Sequence, residues 1–583
     1  MLYGSEEDEH ERPTIHQAFD TMFDNNDGFP FMVGGSTSRI THLHPSTIQI
    51  FQLWQVYLNN VNPLLKIGHA PTLQNQIVEA GANLSHIGKP LEALMFSIYL
   101  IAISSMMNDG VQTTFGTSKS VLLARYHEAS QSALINAGFM RSCDLMTLQA
   151  YLLYLLSAGR YMDPRSFFCL IGIAIRVATR IGLHRDGAQF GLSPFETEQR
   201  RRLWWQLALL DKRIAEMTGS AITALSSSRA DCRLPLNVND TDLYKHTKEP
   251  PISSSCVTEM LFCLTRIELL VAVAPSGARP EPSIVRNMHN SNSDTSVPPS
   301  TSAERSKKPS SFHALEDYCA YIETKYLKHC DTKIPIQHFT LMMGRVSLYK
   351  LRVVDFICRR IPASEIPDKE REALFLIAVQ MIECDDEIYT IESLRGFLWY
   401  THYQAPMPGF IFLISELRHR TTGSLCERAW KAICSNHHNR GMIRKVTSPM
   451  HAAFGQAMLK AWNAREQAEL KHGKTVEPPE LIHLLRRVYS SKGMASQQQT
   501  GFTETSEAQL ENSSLSMSTA VADVERETAS SDMMFDGSMM FPPLDGMGEM
   551  DGSRMMEYGE TDWSYIMSSE ALCGLFDNFT EKQ

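Results

Sequence analysis

Two helices with clearly marked ends are encoded in the middle of this 583-residue chain. Asp163 can cap the first helix, the proline after it suits the first helical position, and Gly182 suits a left-handed stop. Ser193 opens the second helix in the same way, and the glutamate three residues later completes a capping-box pattern. Apolar residues recur at helical spacing in both segments. The pattern predicts helices over 164–181 and 194–218.

Helical periodicity continues through much of the remaining chain, and no segment alternates strongly enough to demand a β-sheet. Hydrophobic residues make up 43% of the sequence, which supports a sizeable core. The predicted fold class is therefore all-α, with order beginning near Pro45 and a first helical stripe from Ile50 to Val61. Further helices are predicted near 89–107, 118–137, 145–158, 313–360, 368–395, 404–420, 425–435, 448–470 and 478–491.

Changes in composition divide the chain into three parts. Residues 1–44 are acidic and then rich in glycine and serine, so they are predicted to form a disordered N-terminus. Residues 45–492 are predicted to form one large helical regulatory domain with a flexible insertion at 275–311, where Pro, Ser and Asn dominate. Residues 493–583 are predicted to be a disordered acidic tail.

The net charge of −10 is concentrated at the two ends of the chain. Residues 1–27 carry −7 and residues 531–583 carry −9, so residues 28–530 carry +6. A nearly neutral body between acidic ends is not the electrostatic footprint of a strong nucleic-acid binder, because the ends would repel phosphate. This distribution puts direct DNA binding in doubt.

The C-terminal tail has the composition of a transcription activation segment. Nine methionines between residues 533 and 567 lie among acids and aromatic residues. The acids keep neighbouring apolar side chains solvated, so these side chains can dock transiently on a partner. An ordinary disordered tail is the alternative. The residues expected to contact the partner are Phe535, Phe541, Trp563, Tyr565, Leu572, Leu575 and Phe576.

Two basic clusters need separate interpretations. Arg305, Lys307 and Lys308 lie in the predicted insertion and match the composition of a nuclear import signal, although a solvated linker explains them equally well. The run Arg200–Arg202 invites a phosphate-binding interpretation, but two of its members have acidic partners four residues earlier on the same helix. We therefore predict that this run has a structural role, and we predict the same for Trp204, Trp205 and Asp211.

No metal, cofactor or membrane segment is predicted. The twelve cysteines contain no CxxC pair, and zinc clusters need closely spaced thiolates, so no zinc site is expected. Without a secretory leader, the cysteines are expected to stay reduced. The apolar run from Leu94 to Met107 is too short to span a bilayer and predicts a buried helix instead.

No catalytic residue is predicted either. The glycine-rich nucleotide loops and the nucleophile elbow are missing. Asp385-Asp386 lacks the distal acid of the metal motif in helical terpene cyclases, and Asn239-Asp240 lacks the serine and glutamate of the second motif. A helical enzyme therefore remains only a remote alternative.

Three segments together resemble the fungal-specific transcription factor domain, the helical middle homology region of zinc-cluster regulators. They are RIGLHRD (180–186), FETEQRRRLWW (195–205) and LPLNVNDTDL (234–243). The segment 44–72 is similar to the opening of this domain in regulators of fungal secondary-metabolite gene clusters. The resemblance extends over roughly residues 45–490 and is weaker around 333–339, Trp399 and 406–408.

The resemblance implies a nuclear transcription regulator, most simply an activator, whose partners are coactivators or the transcription machinery. It also makes other fungal transcription factors a further class of partner. The zinc cluster that normally precedes this domain is missing from the sequence. Two alternatives stay open: a zinc-cluster activator whose cysteines lie upstream, with zinc as cofactor, or a regulator that sequesters other factors without contacting DNA.

Overall fold

The computed structural model describes residues 40–162, 164–218, 220, 223–224, 231–272, 311–358, 367–402, 404–442 and 449–489. All regular secondary structure in these ranges is helical, which confirms the predicted all-α fold class. The α-helices are α1 Thr47–Asn60, α2 Asn62–Leu65, α3 Ala70–Ala82, α4 Lys89–Ser105, α5 Asn108–Phe115, α6 Lys119–Asn136, α7 Leu145–Ala158, α8 Pro164–Arg180, α9 Pro194–Thr218, α10 Leu261–Ala272, α11 Ser311–Lys325, α12 Pro335–Cys358, α13 Asp368–Thr390, α14 Leu398–Thr401, α15 Met407–Leu417, α16 Ser424–Asn439, α17 Pro449–Lys471 and α18 480–489.

Several helices begin or end where the capping residues predicted. Helix α7 and helix α9 have the predicted bounds. The hydroxyl of Ser193 accepts the N–H of Glu196 at 3.2 Å, which is one of the two bonds of a capping box. Gly182, just after α8, has a φ of +81°, a conformation that glycine adopts without a Cβ clash.

The described structure also differs from the sequence-based expectations. Order begins before Pro45, because the ring of His44 is buried and stacks on Phe96 with centroids 4.2 Å apart. The helix predicted over 313–360 is two helices, α11 and α12, and Pro335 begins the second. Helices α2, α3, α5, α10 and α14 lie outside the predicted ranges.

The described residues fall into two compact units. The first contains the described residues between 40 and 344 and between 393 and 404, and the second contains those between 345 and 392 and between 405 and 489. In the first unit, helix α4 packs against α1, α6 and α7. Every residue from Ala93 to Ser105 is buried, so α4 is covered on all sides and not along a single face. In the ranges that the structure describes, no helix is both long and apolar enough to cross a bilayer.

In the second unit, helix α13 packs against α15 and α16. The acids Asp385 and Asp386 lie on α13. The carboxylate of Asp385 accepts bonds from Arg440 at 2.5 Å and from Asn436 at 2.8 Å. The carboxylate of Asp386 accepts the hydroxyl of Ser435 at 2.6 Å. This acidic pair therefore joins two helices, consistent with its failure to match a metal motif.

Several predicted features lie outside the described residues. They are Asp163, the activation-tail residues, the basic cluster at 305–308 and the insertion 275–311 except for Ser311, which begins α11. The division into N-terminus, helical domain and tail stays a prediction.

Candidate functional site

The three segments that carry the family resemblance meet at the N-terminal half of helix α9. The segment 180–186 leads out of α8, and the irregular segment 231–243 packs beside α9. Charged side chains from all three segments form a buried network, which we call the α9 charge network. It consists of Lys66, Asp186, Glu198, Arg201, Arg202 and Asp240.

One end of the α9 charge network joins Arg201 to Asp186. The guanidinium of Arg201 donates two bonds to the carboxylate, at 2.8 and 2.9 Å. The same carboxylate accepts the backbone N–H of Arg233 at 3.0 Å. Burial acts to raise the pKa of Asp186, but Arg201 and this N–H group outweigh it and lower the pKa. The pair therefore attaches both flanking segments to α9.

Arg202 occupies the centre of the network and is completely buried. Its Nε donates to Glu198 at 3.0 Å, and its Nη1 donates to Asp240 at 2.6 Å. Glu198 also accepts the backbone N–H of Leu236 at 3.1 Å. Although burial acts to lower the pKa of Arg202, the two carboxylates raise it, so the guanidinium stays charged inside the core.

Lys66 forms the other end of the network. It follows α2 with a φ of +48°, which is uncommon for a residue with a side chain. Its ammonium donates to Asp240 at 2.9 Å and to Glu259. Asp240 is fixed from a further side, because the imidazole of His69 donates to its backbone carbonyl at 2.8 Å.

An open pocket of about 800 Å³ lies beside Lys66 in the first unit. Residues of α1, α2 and α3 line one part of it, together with the turn at 239–241. Residues 257–262 and the first residues of α12 line the rest. Both Asp240 and Glu259 line this pocket, so the α9 charge network reaches its wall.

The six residues of the α9 charge network carry three positive and three negative charges. Because these charges cancel, the buried cluster is electrically neutral. Each interior member also contacts a charge of the opposite sign on either side. Buried charges are tolerated only when they are paired and hydrogen-bonded in this way. The network can therefore hold α2, α9 and the segment 231–243 in one arrangement.

The network predicts a specific loss of stability in acid. Burial acts to raise the pKa of Asp240, but Lys66 and Arg202 lower it from 3.8 to about 2. Because the folded pKa lies below the unfolded one, Asp240 contributes stability above pH 4 that is lost as the pH falls through 2. This contribution is about 2 kcal/mol.

We therefore expect the difference in unfolding free energy between the wild type and Asp240→Asn to shrink as the pH falls from 6 towards 2. Urea unfolding at a series of pH values measures this difference. Glu249→Gln, which changes an exposed acid in the loop that follows this turn, is the control. A difference that does not change with pH would contradict the assignment.

The predicted structural role of the Arg200–Arg202 run agrees with the observed contacts. Arg200 binds Glu196 at 3.0 Å, and Arg202 binds Glu198 at the same distance, as the spacing predicted. Trp205 is buried and donates its Nε1–H to the carbonyl of Arg233 at 2.9 Å. Sequence reasoning did not find Lys66 or the role of Asp240, because these partners lie far from α9 along the chain.

The predicted site residues in the tail and in the basic cluster at 305–308 lie outside the described residues, so nothing is shown about their contacts. Asp211 is buried, and its carboxylate accepts the N–H of Ala224 at 2.6 Å. In the described part of the chain, no three His, Cys, Asp or Glu side chains are grouped as metal ligands would be.

Known proteins similar to this chain are transcription regulators. The fungal specific transcription factor domain matches residues 54–316. The transcriptional regulator AacuB of Aspergillus aculeatus is 35% identical over 491 residues, which are 82% of this chain and 65% of that protein. The aurofusarin cluster transcription factor aurR2 of Gibberella zeae is 33% identical over 474 residues, covering 80% of this chain and 68% of that protein.

A third relative is the pyriculol/pyriculariol biosynthesis cluster transcription factor 1 of Pyricularia oryzae. It is 32% identical over 472 residues, covering 78% of this chain and 61% of that protein. The matched parts of this chain thus span 61–68% of the length of these three relatives.

All six residues of the α9 charge network lie within the part of the chain that matches this transcription-factor domain, and that part is helical wherever it has regular secondary structure in the described residues. The chain belongs to the fungal-specific transcription factor family, which confirms the resemblance. This is a family of transcription factors and not of enzymes.

Proposed function

We propose that this protein regulates transcription of a fungal secondary-metabolite biosynthetic gene cluster and acts in the nucleus. Its membership of the fungal-specific transcription factor family carries this proposal. Two relatives that are at least 32% identical over most of this chain have names that refer to biosynthetic clusters, and this supports the choice of target.

Deletion of the gene tests the regulatory function. We expect the transcripts of one contiguous group of biosynthetic genes to fall together, and reintroduction of the wild-type gene to restore them. Reintroduced Arg200→Met, which removes a partly exposed ion pair and one bond to the carbonyl of Ile181, should also restore them. Arg202→Met should not restore them, because its domain is destabilised. Unchanged transcripts throughout the genome after deletion would contradict the proposal.

The proposed effector is the acidic tail, which would recruit a coactivator or the transcription machinery. Its support is compositional: aromatic and aliphatic side chains are interspersed with acids over residues 531–583. We expect residues 493–583 fused to an unrelated DNA-binding domain to activate a reporter gene. Alanine at Trp563, Leu572 and Phe576 should abolish activation, whereas alanine at Ser538, Ser553 and Thr561 should leave it intact. A silent wild-type fusion would contradict the assignment.

We propose that this sequence acts through protein partners without contacting DNA itself. Arg201 and Arg202, the arginines most suggestive of phosphate binding, are buried and bound by acids of the α9 charge network. Fluorescence anisotropy with duplex DNA at physiological salt tests this proposal. We expect only weak, sequence-independent binding, and sequence-specific nanomolar affinity would contradict it.

The proposal assigns no catalytic step to the chain. Family membership supports this at the level of the class, because the relatives are named as transcription regulators. An activator whose zinc cluster is encoded upstream is the second candidate function, because the relatives are longer than the matched part of this chain. A transcript whose 5′ end encodes a six-cysteine segment would favour that candidate.

A further inference from the structure

The pocket beside Lys66 combines an apolar lining with a buried cation. Leu58, Pro71, Leu261 and Phe262 contribute apolar surface, and the carboxamides of Gln74 and Asn75 lie at its edge. A pocket of about 800 Å³ is large enough for a small organic molecule. Mixed linings of this kind, with a few polar groups among apolar ones, are typical of small-molecule sites.

The two carboxylates that bind Lys66 differ in how firmly they are held. The side chain of Asp240 is 4% exposed, and it is bound by Arg202 as well as by Lys66. The side chain of Glu259 is 47% exposed. Asp240 is therefore held by two cations, whereas Glu259 is half exposed to water and has, besides Lys66, only a long 3.4 Å bond from the N–H of Asp240 among its described carboxylate contacts.

The charge balance of the network also indicates that Glu259 is replaceable. Lys66, Arg201 and Arg202 are already balanced by Asp186, Glu198 and Asp240 within the α9 charge network. Glu259 is a seventh charge, added on the pocket side. The neutrality of the buried network therefore does not depend on Glu259, and an acid from another molecule can take its place without changing the total charge.

We propose that this pocket binds a small organic acid whose carboxylate replaces Glu259 on Lys66. The carbon body of the acid would cover the apolar lining and remove it from water, which favours binding. The exchange of one carboxylate for another leaves the ammonium paired throughout. In the absence of ligand, Glu259 occupies the acceptor position that the ligand would take.

In this arrangement the carboxylate of Glu259 and the ligand compete for Lys66, which does not happen in a simple empty cavity. When a side chain competes with a ligand for a site, the apparent affinity is the intrinsic affinity multiplied by the fraction of time that the side chain leaves the site open. If Glu259 occupies Lys66 for nine-tenths of the time, removing it raises the affinity for an acid about tenfold. It does not raise the affinity for a neutral molecule of the same shape in this way.

Benzoate and benzamide are suitable probes because they have nearly the same shape and differ in charge. Titration calorimetry with the purified full chain should show that Glu259→Ala binds benzoate about tenfold more tightly than the wild type. Benzamide should gain much less. Glu249→Ala removes an exposed acid from the preceding loop and should behave like the wild type.

Lys66→Met should lose the preference for benzoate over benzamide. Because this variant leaves Asp240 with one cation fewer, its folding is checked first by circular dichroism, and Glu259→Gln provides a second variant that keeps Lys66. Equal benzoate affinity in Glu259→Ala and the wild type, or no saturable benzoate binding to Glu259→Ala, would overturn the proposal. The test uses binding alone, so its outcome is independent of the regulatory function.

Discussion

Replacing Arg202 with methionine should lower the free energy of unfolding by about 3–5 kcal/mol, because it leaves buried carboxylates without their cation. Glu198 and Asp240 both bind this guanidinium, and the side chains of Arg202 and Glu198 are 0% exposed. Methionine keeps much of the volume of the arginine stem, so the loss reports the missing charge more than a cavity. Urea unfolding followed by far-ultraviolet circular dichroism measures the effect.

The same helix provides a matched control. Arg200 binds Glu196 with the spacing and the 3.0 Å distance that join Arg202 to Glu198, but its side chain is 21% exposed and that of Glu196 is 44% exposed. Arg200 also donates to the carbonyl of Ile181 at 2.9 Å, so Arg200→Met should cost about 1–2 kcal/mol, which is still less than Arg202→Met. Similar losses in the two variants would show that burial of the network does not set its strength.

Replacing Phe96 with alanine should destabilise the first unit by about 3–5 kcal/mol. Phe96 is 0% exposed and lies on α4, which is covered on all sides. Its ring packs against the ring of His44, which precedes α1, and against the ring of Tyr99 on the next turn of α4, so truncation removes both contacts and leaves a cavity.

Thermal and urea unfolding measure the loss at Phe96. Val121→Ala on α6 is the control, since Val121 is 56% exposed and its truncation should change stability by no more than about 0.5 kcal/mol. A loss below about 1 kcal/mol for Phe96→Ala would mean that the neighbouring side chains collapse into the space, and it would contradict the expected cavity.

The fold class and several helix ends could be predicted from the sequence because they depend on neighbouring residues. Ser193 caps α9, and Gly182 ends the turn after α8 through its own backbone conformation. The ion pairs within α9 were also predictable, because a spacing of four residues places two side chains on one face of a helix.

Other features depend on residues far apart in the chain. Lys66 and Asp240 are 174 residues apart, so no periodic pattern links them. In the sequence, Asn239-Asp240 is an incomplete metal motif inside a segment of the family resemblance, whereas in the structure Asp240 accepts bonds from two buried cations. Helix α3 was missed because few of its residues are buried, namely Leu73, Ile77, Ala80 and Gly81. Such a weak apolar stripe gives little signal.

The irregular segment 231–243 takes its conformation from the acids that hold its backbone. The carboxylate of Asp186 binds the N–H of Arg233, and that of Glu198 binds the N–H of Leu236 three residues later. A single inserted or deleted residue between these two points would misplace one N–H group, and the buried carboxylate that accepts it would lose one of its hydrogen bonds. The two buried carboxylates therefore set the number of residues that can lie between Arg233 and Leu236.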